Sequence, residues 1–84
     1  MSAADVELFH SIGDPGSAAA RRFVTRQHLA ERIRFRNVPY DEVQRDLVAR
    51  GGSAAPALWD GRVLHQGEAA VLAALARLVE PADG

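Results

Sequence analysis

The side chains able to do chemistry at neutral pH gather in one stretch, Phe9-His10-Ser11-Ile12-Gly13-Asp14-Pro15-Gly16-Ser17. An imidazole at His10, a carboxylate at Asp14 and a hydroxyl at Ser17 are the ingredients of a base-assisted nucleophile, and Asp14 could itself serve as base or nucleophile. Each also has a plainer reading. Asp14 before Pro15 is a helix start, because proline supplies a helical φ and lacks only a donor that the first turn would orphan anyway, while the Asp side chain caps. A lone His at a strand end is more often an ordinary polar residue than a catalytic base, and Ser17 has no base beside it in sequence.

Other chemistries are excluded or disfavoured by composition. The chain has no cysteine, so disulfides, thiolate metal sites and Cys nucleophiles are all absent. His10, His28 and His65 lack the close spacing and companion ligands of a metal centre, so no metal site is expected. The formal net charge of -1 exerts no overall pull toward nucleic acid, although all ten basic residues are Arg and six lie between Arg21 and Arg36. Arg21, Arg22, Arg26 and Arg32 read as a solvated helix face, and no nucleic-acid partner is expected. Residues 1–5 carry no basic cluster leading into an apolar run and no apolar stretch approaches bilayer length, so the expectation is a cytoplasmic protein without membrane contact.

The elements that position these residues follow from periodicity. Val6-Glu7-Leu8-Phe9-His10 reads as a strand that Gly13 breaks, with a helix beginning near Pro15. Ala20, Phe23, Val24, Gln27 and Ala30 share a face of that helix. Ile33-Arg34-Phe35-Arg36-Asn37-Val38 alternates apolar and polar residues, the pattern of a strand with one wetter side, and completes a right-handed parallel βαβ unit. Asp41 followed by Gln44 resembles a capping box that opens a helix with Val43, Leu47 and Val48 inward, ended by Gly51-Gly52. Asp60-Gly61 suits the centre of a two-residue type I′ hairpin between Ala57-Leu58-Trp59 and Arg62-Val63-Leu64-His65, with Trp59 packing on a helix. Glu68 to Val79 carries Val71, Leu72, Leu75, Leu78 and Val79 on a stripe that Pro81 terminates, leaving 81–84 as a frayed tail. With 84 residues and 48% hydrophobic composition, the reading is one α/β domain over residues 1–84, its core at 5–79. The predicted order is β-α-β-α-β-β-α, a four-stranded mixed sheet with flanking helices.

This arrangement is thioredoxin-like, and short motifs extend the resemblance to residues. The chain resembles a glutaredoxin in which Cys-Pro-x-Cys has become Asp14-Pro15-Gly16-Ser17. Gly51-Gly52-Ser53-Ala54-Ala55-Pro56 is similar to the glutaredoxin Gly-Gly-x-Thr-Val-Pro, whose proline is cis, and Asp60-Gly61 matches that family's hairpin turn. Leu64 to Leu72 is closer to the amino-terminal domain of glutathione transferases, where a Glu-Ser pair opens the last helix; here the pair is Glu68-Ala69.

The resemblance implies a groove formed by Asp14, Pro15, Ser17, Ala55, Pro56, Gly67 and Glu68. In those families the bond before the cis proline offers backbone groups to glutathione or to an extended peptide, a mode of recognition that does not need the lost thiols. Thiol-disulfide exchange is excluded, since a carboxylate at Asp14 cannot form a disulfide. The first reading is therefore a redox-inactive module, monomeric or weakly dimeric, that binds a peptide or protein partner or a small thiol peptide. The second is a glutathione-binding transferase-like protein or subunit, disfavoured because transferases carry an additional helical domain. An acid-base enzyme built on Asp14 and His10 is the third and weakest. No cofactor other than glutathione is implied.

Overall fold

The computed structural model describes residues 6–79, so Asp5, Pro81 and the expected tail lie outside the described residues. Strand β1 (Glu7–His10) is followed by helix α1 (Pro15–Arg26), a 3-10 turn at Ala30–Arg32, β2 (Arg34–Asn37), α2 (Asp41–Ala49), β3 (Ala57–Trp59), β4 (Leu64–Gln66) and α3 (Glu68–Val79). The strands form a four-stranded sheet in the order β2-β1-β3-β4. β1 runs parallel to β2 and antiparallel to β3, and β3 pairs antiparallel with β4. The expected element order and mixed sheet are both present.

Strand alternation divides the core between the two sheet faces. Leu8 and Leu58 meet Ala20 and Val24 of α1 and Val71, Ala74 and Leu75 of α3 on one face. Phe9 and Ala57 meet Leu47 of α2 on the other, with Val43, Trp59 and Leu64 packed around them. Beyond the end of helix α1, the left-handed φ of 57° at His28 lets His28 N–H reach the Thr25 carbonyl and Leu29 N–H reach the Val24 carbonyl. That turn delivers Leu29 into the α1/α3 core. On the inward faces, Val48 is exposed rather than buried, as are Gln27 and Ala30, because only one row of each short helix reaches the sheet.

Three local expectations are revised. The alternation of β2 is upset at one pair: Arg36 is 7% exposed and Phe35 40%, although Ile33 is buried and Arg34 exposed as expected. Phe35 sits on the rim because β2 is an edge strand, whereas Arg36 turns toward α2 and is drawn in by carboxylates. At α2, Tyr40 occupies the N-cap without a side-chain cap bond and Asp41 is already helical. The tight turn in which Tyr40 N–H reaches the Asn37 carbonyl hands the chain to the helix one residue early, leaving Asp41 and Glu42 to favour the helix dipole from its first turn. In the β3–β4 connection Asp60 precedes the turn centre, and only Gly61 has positive φ, at 99°. The turn therefore has the φ pattern of type II′, and Asp60 Oδ1 accepts from Arg62 N–H at 2.8 Å and Val63 N–H at 2.9 Å.

Glu7 faces α2 from the buried central strand. Its carboxylate accepts from Arg36 Nη1 at 2.8 Å and Arg50 Nη2 at 3.1 Å, while Arg36 Nη2 also donates to Asp46 at 2.6 Å. Arg36 lies 5.7 Å from the centre of the Phe9 ring and Arg50 4.4 Å from that of Trp59, so the cations also cover aromatic faces. Removing one partner of a buried pair leaves an uncompensated charge, a loss of about 3–5 kcal/mol. Glu7→Ala leaves Arg36 paired with Asp46 alone and is expected to lose less than that full range in urea unfolding, whereas Glu7→Leu combined with Arg36→Met recovers most of the loss. Equal stability of Glu7→Ala and the parent would contradict the arrangement.

Carboxylates also set the acid limb of stability. Partial burial opposes ionisation of Asp60, but the hydrogen bonds from His65, Val63 and Arg62 outweigh it and hold its pKa at about 2, below the ordinary 3.8. The bond to Arg36 likewise lowers Asp46. A carboxyl with a depressed folded-state pKa stabilises above its unfolded value and loses that contribution as pH falls through the folded one. Asp60→Asn should therefore reduce stability at neutral pH and flatten the decline between pH 3.8 and about 2, as read by denaturant midpoints across that window.

Candidate functional site

The loop after β1, the bond before Pro56 and the start of α3 converge at one end of the sheet. A Cβ placed on Gly16 would lie 3.1 Å from Pro56 Cδ and 3.4 Å from Glu68 Cβ, so a glycine there lets α1 approach both. The Ala55-Pro56 peptide is cis. Pro56 is buried, and its carbonyl accepts from Gly67 N–H at 3.0 Å, which ties the start of α3 to the proline. The structure thus brings together the three segments that hold Asp14, Pro15, Ser17, Ala55, Pro56, Gly67 and Glu68.

Their individual roles differ. Asp14 is the N-cap of α1 in extended conformation, and its Oδ2 accepts from Ser17 N–H at 2.7 Å. Ser17 is fully buried, and its Oγ accepts from Ser11 N–H at 3.0 Å, so this hydroxyl locks the loop from behind rather than facing a ligand. Pro15, Gly67 and Glu68 are exposed, and Ala55 is half-buried. Among the described residues neither the N–H nor the C=O of Ala55 has a hydrogen-bond partner, whereas the Pro56 carbonyl is already used by Gly67. The N–H groups of Glu68, Ala69 and Ala70 open α3 without intrahelical acceptors.

His10 stands apart from this surface. It is 8% exposed in β1, contacts Phe35 edge-on at 5.6 Å between ring centres, and its Nδ1 accepts from Arg21 Nη1 at 3.2 Å. Because Arg can only donate, the accepting Nδ1 assigns the ring proton to Nε2. Burial first, and then the Arg21 charge, lower the His10 pKa below its ordinary 6.5, so the ring is neutral at pH 7. Arg21 also donates to the Ser11 carbonyl at 3.3 Å. Among the described residues no hydrogen bond joins His10 to Ser17 or Asp14, so the nucleophile-base pairing open from sequence is not assembled. The signal sequence reading missed is Arg21, which clamps the end of β1 from α1. A basic residue nearly two turns into α1, after a polar strand end, was the available hint.

Among the described residues no group of three His, Asp or Glu side chains is placed to hold a metal ion, and no helix is long and apolar enough to cross a membrane. Comparison of the chain with known protein families, curated proteins and solved structures finds no match.

The geometry makes Asp14 a structural residue. Asp14→Ala should lower stability by about 0.5–2 kcal/mol, and Asp14→Asn by less, since Asn still caps. Thermal unfolding checks both, and two variants as stable as the parent would return Asp14 to the catalytic candidates.

Proposed function

We propose that the chain is a thioredoxin-like, glutaredoxin-like domain without redox chemistry, which binds an extended peptide or protein segment, or a small thiol peptide such as glutathione, beside its cis proline. The observation that carries this reading is Ala55, whose backbone donor and acceptor are both unpartnered next to a proline packed on Gly16. A half-buried residue with a free N–H and a free C=O is suited to pair with another backbone in the manner of an added strand. Glu68 and the open N–H groups of α3 flank it, which suits a ligand that carries both an ammonium and a carboxylate. Asp14, Pro15 and Ser17 fix the opposite wall through the α1 cap. Without any thiolate, disulfide reductase and deglutathionylation activities are expected to be nil.

Amide-shift NMR titration tests the reading with two probes, reduced glutathione and a blocked tetrapeptide of alternating valine and threonine. Saturable shifts at Gly16, Ala55 and Glu68 with the tetrapeptide are the expected result. Shifts there with glutathione alone would narrow the ligand to a small thiol peptide and favour the transferase-like alternative. No shift at these residues with either probe would overturn it.

A further inference from the structure

Away from the Ala55 surface, the charges of α1 are unevenly placed. From Pro15 to Ala30 the sequence holds three Arg and no Asp or Glu. Ala18, Arg21, Arg22, Thr25 and Arg26 recur at helical spacings of three and four, so they form one stripe along α1. This stripe lines a depression of about 630 Å³. The volume is that of a ligand site, but all lining residues belong to a single helix, so nothing walls the depression opposite α1. It fits a row of side chains from an elongated partner better than an enclosed small molecule.

The electrostatics of the stripe contrast with those of the α2 face. Arg36 and Arg50 are consumed by Glu7 and Asp46, whereas Arg22 and Arg26 are exposed and make no ion pair among the described residues. Arg21 is held in place by the Ser11 carbonyl and by His10, a neutral partner that leaves its charge uncompensated. Between the guanidinium groups the floor is apolar, made of Ala18, the Thr25 methyl and the arginine stems.

We propose that this stripe of α1 is a docking surface for an acidic, amphipathic segment of a protein partner. Asp or Glu side chains would pair with Arg21, Arg22 and Arg26, and small apolar side chains would cover Ala18 and Thr25. A nucleic acid fits less well. The stripe runs only about 12 Å at 1.5 Å per residue, too short for the many phosphate contacts that a duplex needs, and no aromatic on it offers a stacking platform. The net charge of -1 also opposes a long polyanion. This surface is separate from the Ala55 groove, and the proposal does not depend on the function assigned there.

The test uses a fluorescently labelled peptide of about fifteen residues, alternating turns of Glu with Leu and Ala, and a twin with Gln in place of Glu. The Glu peptide is expected to bind with amide shifts confined to residues 18–26, to weaken as salt is raised, and to exceed its Gln twin. Arg22→Gln with Arg26→Gln, both exposed and helix-compatible, should weaken it about tenfold, while Arg62→Gln in the distant hairpin leaves it unchanged. Absent binding, unchanged affinity in the double variant, shifts outside α1, or tighter binding of a short DNA duplex would each overturn the proposal.

Discussion

A carboxylate buried in the central strand is the constraint on which much of the architecture depends. Glu7 is removed from water with strands on both sides and α2 over its face, a position that a lone charge could not occupy. Arg36 from β2 and Arg50 from the end of α2 compensate it, and Asp46 shares Arg36. One cluster thereby fixes the parallel register of β2 and seats α2 on the sheet. The aromatic faces of Phe9 and Trp59 beneath the guanidinium groups add packing to the charge pairing. Such a cluster specifies an arrangement more than it adds net stability, because desolvation offsets most of the attraction.

The opposite end of β1 is organised by polar contacts of another kind. His10, Ser11, Asp14, Ser17 and Arg21 are bound to one another or to the backbone, and these bonds hold the loop and the first turn of α1. A hydroxyl facing inward and an imidazole that accepts from an arginine cannot form a nucleophile-base pair without rearranging. What remains unspent nearby is backbone, at Ala55 and at the start of α3. On the reading proposed above, such a surface would select by main-chain shape and charge rather than by bond-making.

The pattern of charge follows the same economy. Arg36 and Arg50 on the α2 face are paired with Glu7 and Asp46, while Arg21, Arg22 and Arg26 along α1 make no ion pair among the described residues. Two chemically different surfaces thus lie on one small domain, a backbone edge beside Pro56 and a cationic stripe on α1.

Local sequence was enough for the order of the elements, the start of α1 at Asp14-Pro15 and the span of α3 from Glu68 to Val79, because caps, turn residues and apolar periodicity act over a few residues. The family-like motif at residues 51–56 likewise anticipated a cis bond that the structure contains. Local pattern misjudged Arg36 and Phe35, since alternation shows that two faces differ but not which one a distant carboxylate will draw inward. It could not show that Ser17 points into the loop, that Arg21 reaches back to His10, or that Gly16 leaves room for Pro56, because each joins residues on different elements. Periodicity and caps are properties of neighbours in the chain and are readable there. Charge compensation and close backbone approach are properties of neighbours in space, and only the packed sheet and helices decide them.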